Sequence, residues 1–238
     1  MRSLALALSF LSLGPGGGGG APPTQVHRVF VVGHSVLGRP IRALELGNPR
    51  SLRKVLVVGC IHGNEQAGIA ITRLLARGAA PRTYDLWIVN VVNPDGRARN
   101  TRQNARGVDL NRNFPTGWQR LGRLGDLTYS GPRPLSEPES RTAVRLIRRI
   151  RPDLSIWFHQ PQAVVRAWSG PSLRAAVRYA RLARVPFRRL RVPPGAATRW
   201  EDHRFPGSAS FVVELPPGPL PARATARYAR AVRLLARP

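Results

Sequence analysis

Three short apolar runs in this 238-residue chain lead into side chains that bind metals or move protons. Val55-Leu56-Val57-Val58 is followed by Gly59-Cys60-Ile61-His62-Gly63-Asn64-Glu65, Leu154–Phe158 ends in His159, and Phe211–Val213 ends in Glu214. Two imidazoles and a carboxylate make the protein half of a catalytic zinc shell whose fourth position is left to water. In His62-x-x-Glu65 the two donors lie three apart, so a turn entering a helix can aim both inward. Zinc lowers the pKa of its bound water to about 7. Glu214, a further carboxylate, can take that water's proton and return it to a leaving amine. Each piece alone has an ordinary structural reading, a core histidine or a solvated strand-end acid. Their joint occurrence in a chain with only five histidines and twelve acids lifts the metal reading above what any one piece carries, while the structural reading stays open.

Those side chains meet only if the runs that carry them lie side by side. Val29–Val32 and Ile41–Leu46 read as strands paired around the turn Leu37-Gly38-Arg39-Pro40. Val55–Val58 and Leu86–Val92 read as strands buried on both faces, as does Leu154–Phe158. Gln66–Arg77, Pro171–Arg184 and Ala222–Ala236 carry apolar residues at helical spacing. Ser136-Glu137-Pro138-Glu139 reads as a helix start, with Ser136 the N-cap and Pro138 in the first turn. The alternation predicts a single α/β domain with a mainly parallel, mixed central sheet flanked by helices. In such sheets ligand sites lie beyond the carboxyl ends of the strands, so His62, Glu65, His159 and Glu214 are expected at one edge. Residues 93–135 hold no sustained period, and aperiodic segments that long usually serve function.

Composition narrows the classes. The chain carries 38 basic and 12 acidic residues, a net charge of +26, and Lys54 is its single lysine. The arginines are spread along the chain without a basic block interleaved with aromatics, which favours GC-rich compositional drift over specific nucleic-acid binding. The field nonetheless draws anionic substrates. One cysteine, Cys60, excludes an intrachain disulfide and any cysteine-rich zinc module, and its place before the His62 turn suits a small buried hydrophobe. No stretch approaches the roughly 20 apolar residues of a membrane span. Residues 1–23 pair a basic start with the apolar run Leu4–Leu13 and a Gly/Pro stretch, the outline of a secretory signal. The expectation is a leader over 1–23, a domain over 24–238, and a secreted or cell-envelope location. The competing reading is an over-extended start and flexible linker on a cytoplasmic protein.

Several further runs fall into order with the first three: Gly38-Arg39-Pro40-Ile41, His62-Gly63-Asn64-Glu65, Asn93-Pro94-Asp95-Gly96, Gly107-Val108-Asp109-Leu110-Asn111-Arg112-Asn113-Phe114, Ser136-Glu137-Pro138-Glu139, His159 and Val213-Glu214-Leu215. Together they resemble the zinc carboxypeptidase family, and within it the compact murein peptide amidase A branch. The resemblance implies one zinc ion per chain held by His62, Glu65 and His159, with Glu214 as general base and acid. It implies Asp109 as the carboxylate that orients His62, which would fix the tautomer and raise basicity. Asn111 and Arg112 would grip a free substrate carboxylate, a task suited to a planar guanidinium, and Arg102 would stabilise the developing oxyanion.

One departure stands out. Pancreatic-type members place a tyrosine before the catalytic glutamate, and residues 185–213 contain none. His203 or Trp200 is expected to fill that substrate-binding role, and Arg199 is a candidate partner for an acidic substrate group. Glu137 and Glu139 are expected as helix N-terminal charges, and His27 and His34 as surface residues. The branch implies hydrolysis of the bond between γ-D-glutamate and a diamino acid in a murein-type peptide. Three alternatives stay open: a general carboxypeptidase acting on C-terminal residues, an N-acyl amino acid deacylase, and a non-catalytic binder of anionic polymers. The Asn93 and Gly107 runs weigh against the deacylase, and the retained Glu214 weighs against the binder.

Overall fold

Alternation along the strands decides which side chains face which layer. The computed structural model describes residues 25–238 except Ser169, so the leader expected over 1–23 lies outside the described residues. Eight strands form one sheet: β1 (Val26–His34), β2 (Pro40–Gly47), β3 (Lys54–Val58), β4 (Asp85–Val89), β5 (Leu154–His159), β6 (Val164–Ala167), β7 (Phe187–Arg189) and β8 (Ala209–Glu214). Their order across the sheet is β1-β2-β4-β3-β5-β8-β6-β7. The four central strands β4, β3, β5 and β8 run parallel, while β1, β2 and β6 join by antiparallel pairing. The sheet is therefore mixed, as expected.

Successive strand residues point to opposite faces, and both faces are covered. Val55 and Val57 of β3, Ile156 and Phe158 of β5, and Phe211 and Val213 of β8 pack with helices α1 (Ala67–Arg77), α4 (Gly170–Ala183) and α6 (Ala222–Ala236). Leu56, Val58 and Trp157 face the other way, against α3 (Pro138–Ile150) and α5 (Ala197–Arg204). The apolar stripe of α3, Ala143, Val144, Ile147 and Ile150, explains why an arginine-rich segment still docks: its cations occupy the other side.

Some boundaries differ from expectation. The strand expected over Leu86–Val92 ends at Val89, because Val92 N–H turns to the Cys60 carbonyl at 2.8 Å. The N-cap of α3 is Glu137 rather than Ser136, whose hydroxyl instead donates to the Glu137 carboxylate at 2.8 Å. Glu137 and Glu139 stand at the helix start as expected, Glu137 as N-cap and Glu139 in the first turn, and both are buried. The long segment over 93–135 contains a short helix, α2 (Pro94–Arg99), capped by the Asn93 side chain, and a single 3-10 turn over Leu110–Arg112. Strands β6 and β7 and helix α5 were also not visible as periods, being three to eight residues long.

The face of β5 and β8 that carries the site is anchored by one carboxylate. Ser155, Trp157 and His159 lie on one side of β5, in register with Ser210, Val212 and Glu214 of β8. Glu201 of α5 accepts from the Ser155 hydroxyl, from Trp157 Nε1 at 2.7 Å and from the Ser210 hydroxyl at 3.0 Å. Burial pushes the Glu201 carboxyl up to about 7, these hydrogen bonds opposing in part. Its native value exceeds the ordinary 4.5, so the folded state binds more protons and stability falls as pH rises through that window. Glu201→Gln, which removes the ionisation while Ser155 can accept instead, should therefore gain stability relative to the parent between pH 5 and pH 8, by up to about 3 kcal/mol. Thermal denaturation at the two pH values measures this, and a pH-independent difference would contradict it.

Candidate metal centre and its cavity

The turn after β3 is shaped by a close backbone approach. A Cβ on Gly63 would collide with the main chain of Gly96 and Arg97, and one on Gly96 would meet the Gln103 carbonyl and the Asn93 side chain. Only glycine allows the His62-Gly63-Asn64-Glu65 and Asn93-Pro94-Asp95-Gly96 turns to touch. Glu65 N–H then donates to the His62 carbonyl at 3.0 Å, aiming both side chains the same way.

Strands β3, β5 and β8 are consecutive neighbours and parallel, so their carboxyl ends deliver the chemistry to one place. His62 Nδ1 and His159 Nδ1 lie 3.1 Å apart. Glu65 lies 2.9 Å from each of them, through Oε1 to His62 and Oε2 to His159. One donor atom from each of the three residues falls within 4.8 Å of the others, and all three residues are buried. Glu214 is the register partner of His159. Its Oε1 lies 3.3 Å from Arg166 Nη1, and its Oε2 is buried with no hydrogen-bond partner among the described residues.

Asp109, fully buried, organises the other side of His62. Its Oδ1 faces His62 Nε2 at 2.9 Å and accepts from Asn111 N–H at 2.9 Å. Its Oδ2 accepts from Arg102 Nε at 3.1 Å and Nη2 at 2.9 Å. A carboxylate on Nε2 keeps the ring proton there and leaves the Nδ1 lone pair facing His159 and Glu65. Arg102 closes the circuit by donating from Nη1 to Glu65 Oε1 at 2.8 Å. Burial alone would raise the Asp109 and Glu65 carboxyls; the charges and hydrogen bonds of His62, joined at Glu65 by His159, outweigh it and hold both well below the usual range. Burial likewise opposes protonation of His62, yet Asp109 and Glu65 pull it upward. Two imidazole nitrogens and an ionised carboxylate that converge and call for positive charge fit a divalent cation with nitrogen and oxygen ligands.

The aperiodic segment is held by buried amides and acids rather than by periodic packing. Asn104 accepts from the N–H groups of Arg106 and Val108 and donates to Glu137 and Glu139. Asn113 donates to the carbonyls of Ser130 and Arg133 and to the Ser136 hydroxyl. Glu139 accepts from Val36 N–H at 3.0 Å, and Asp95 from Leu37 N–H and Arg39 Nη1. The motif residues Arg39, Asp95 and Glu139 thus tie the segment to the β1–β2 turn, while Glu137 holds Asn104 to the start of α3. That lets Asn111 reach α5, accepting from Ala197 N–H at 2.9 Å while its amide lies 3.4 Å from His159 Nε2.

A cavity of about 480 Å³ opens over these groups, lined by Glu65, Arg102, Asn111, Arg112, His159 and Glu214 among others. It is within the range of ligand sites. Every expected metal ligand lies at this place, with Glu214, Arg102, Asn111 and Arg112 around it. His203 and Trp200 do not reach it. Trp200 is buried in the apolar layer against Phe114 and Phe205, because Glu201 fixes α5 with that face toward the sheet. His203 is exposed at the far end of the same helix. Arg199 donates to the Val192 carbonyl at 3.4 Å and is not part of the cavity wall, whereas Thr198 is. Cys60 is not among the converging donors: its thiol donates to the His62 carbonyl, and burial pushes it up to about 12. His27 and His34 are exposed as expected.

Two wall residues were not anticipated. Gln160 follows His159 and donates from its own N–H to Glu65 Oε2 at 3.1 Å, while its side chain spans Ala67, Pro216 and Gly218. Its position beside a candidate ligand was the available signal. Arg166 sits on the four-residue β6, which no period marked.

Comparison with known proteins agrees with this geometry. The zinc carboxypeptidase family model matches residues 21–169. Murein peptide amidase A of Escherichia coli strain K12 is 33% identical over 159 residues, a match spanning 62% of this chain and 63% of that protein's length. The crystal structure of murein-tripeptide amidase from Escherichia coli O157 aligns with a TM-score of 0.69 and 28% identity, covering 92% of this chain and 94% of that one. Carboxypeptidase A from Helicoverpa armigera aligns with a TM-score of 0.77 and 21% identity over 89% of this chain and 68% of that one, a likeness of fold. The metal is therefore zinc, and His62, Glu65 and His159 form the group able to hold it. Replacing Asp109 by Asn should weaken zinc binding roughly 10- to 100-fold, as loss of an orienting partner does. Chelator competition measures the change, and an unaltered affinity would contradict the role given to Asp109.

Proposed function

This chain belongs to the zinc carboxypeptidase family, and from that membership we propose that it is a zinc-dependent peptidase of murein-type peptides, cleaving the bond between γ-D-glutamate and a diamino acid whose carboxylate is free. The observation that carries the catalytic part is Glu214: a buried carboxylate oxygen without a partner among the described residues, on the strand next to His159, at the wall of the cavity that Glu65 and His159 also line. The substrate class is supported by the likeness to murein-tripeptide amidase across nearly the whole of both chains. A cell-envelope location goes with that substrate and with the signal-like composition of residues 1–23.

The roles of the side chains follow from their surroundings. Zinc on His62, Glu65 and His159 would supply Lewis acidity and make a bound water acidic enough to lose its proton near neutral pH. Glu214 Oε2 receives the proton of the attacking water and delivers it to the nitrogen of the departing amino acid. Arg102 is held by Asp109 through Nε and Nη2, so the nitrogen left to meet the carbonyl oxygen is Nη1, now on Glu65. Placed there, it favours negative charge as the carbonyl becomes tetrahedral. Asn111 and Arg112 hold the free carboxylate. Arg112 is positioned by its own bond from Nη1 to the Asn111 carbonyl at 2.8 Å. The cavity has two acids, Glu65 and Glu214, against four arginines, Arg102, Arg112, Arg166 and Arg191, and this balance suits a carboxylate-rich peptide.

Glu214→Gln should retain zinc and lose hydrolysis by at least about a hundredfold, the lower bound for a general acid–base group. His159→Ala should lose the metal itself. Metal content by mass spectrometry together with turnover reads both, and a fully active Glu214→Gln enzyme would overturn the assignment. Digests of a murein tripeptide beside plain C-terminal peptides should show preference for the former; the reverse preference would make the enzyme a general carboxypeptidase.

A further inference from the structure

Of the four cavity arginines, only Arg102 has every guanidinium nitrogen on a protein acceptor among the described residues, and Arg112 is already assigned to the substrate's free carboxylate. Arg102 spends all three nitrogens on Asp109 and Glu65. Arg112 donates to the Asn111 carbonyl beside Asp109. Arg191 lies over the Trp168 ring at 5.2 Å from its centroid. Arg166 differs. Its Nη1 alone has partners, Glu214 Oε1 at 3.3 Å and Gln162 Oε1 at 3.4 Å, both long. Nε and Nη2 have no protein acceptor among the described residues, and the side chain is a quarter exposed on the cavity wall.

Two free N–H groups on one guanidinium edge form a fork that matches the two oxygens of a carboxylate. The fork belongs to a strand next to β8, and its other nitrogen marks the position of Glu214. A group it binds is therefore on the part of the substrate that lies against Glu214, the departing amino acid. Resting on the reading above, we propose that Arg166 is a specificity residue that binds a second carboxylate on the released amino acid, so that dicarboxylic residues are preferred over otherwise identical residues with one carboxylate.

Diaminopimelate and lysine form a matched pair, differing by that distal carboxylate. The rate on L-Ala-γ-D-Glu-diaminopimelate should exceed that on L-Ala-γ-D-Glu-lysine by roughly 10- to 100-fold in kcat/KM, the size of a charge-assisted hydrogen bond. Arg166→Gln should reduce this ratio to within a few-fold of unity, and Arg166→Lys should restore part of it. Because Arg166 also touches Glu214, the ratio is the readout: any common effect on turnover divides out. Calorimetry of the zinc-loaded wild type with free diaminopimelate and free lysine gives a second readout that needs no hydrolysis. Tighter binding of diaminopimelate, lost in Arg166→Gln, supports the proposal. Equal binding of the two ligands by wild type, or a preference untouched by the substitution, overturns it. Absence of turnover on both peptides would instead overturn the substrate reading, with the binding comparison still deciding the role of Arg166.

Discussion

Asp109 and Glu65 are buried carboxylates, and a buried charge survives only if it is paired and hydrogen-bonded. Asp109 meets that requirement with His62, Arg102 and the Asn111 N–H; Glu65 meets it with His62, His159, Arg102 and the Gln160 N–H. Most of the remaining site geometry follows. The imidazole proton of His62 is fixed on Nε2, so its Nδ1 is presented inward. Arg102 is held across two acids, and the backbone of Asn111 is drawn under the cavity. Removing one member leaves the others uncompensated in a low-dielectric site, which is why these residues act as a unit rather than as separate contacts.

The parallel register of β5 and β8 supplies the second half of the geometry. With period two, Ser155, Trp157 and Ser210 point to the same side as His159 and Glu214. One buried acid, Glu201, ties that face to α5 just below the site. The same contact sets the N-terminal end of α5 against Asn111. Sheet, helix and aperiodic segment are thereby locked to each other within one turn of the zinc donors.

This division explains what could be read from the residue order. Val55–Val58, Leu154–Phe158 and Phe211–Val213 are buried apart from half-buried Val212 and apolar apart from Ser155, so their apolar character identified them, and the polar residues at their ends marked the edge of the sheet. Helix α6 was legible to its last residue because its apolar stripe repeats over 15 positions. Helix α5 is eight residues long and its buried face includes Glu201, so no apolar period exposed it. Trp200 and His203 were drawn toward the site by the missing tyrosine, whereas their orientation depends on the Glu201 hydrogen bonds, a tertiary fact. Glu137 and Glu139 were legible as helix-start charges, but their burial was not, because the amide that meets them, Asn104, is 33 and 35 residues away. The arginine excess looked like drift, and most of it is spread over the chain; Arg166 shows that a position within that background can still be placed against Glu214 on the cavity wall.

The most direct test of the account is anomalous diffraction at the zinc absorption edge from crystals of the metal-loaded protein. One strong peak is predicted per chain, about 2.0–2.2 Å from the Nδ1 atoms of His62 and His159 and from a carboxylate oxygen of Glu65, with Glu214 uncoordinated nearby. A peak bound elsewhere, or one with Glu214 as a ligand in place of Glu65, would contradict it.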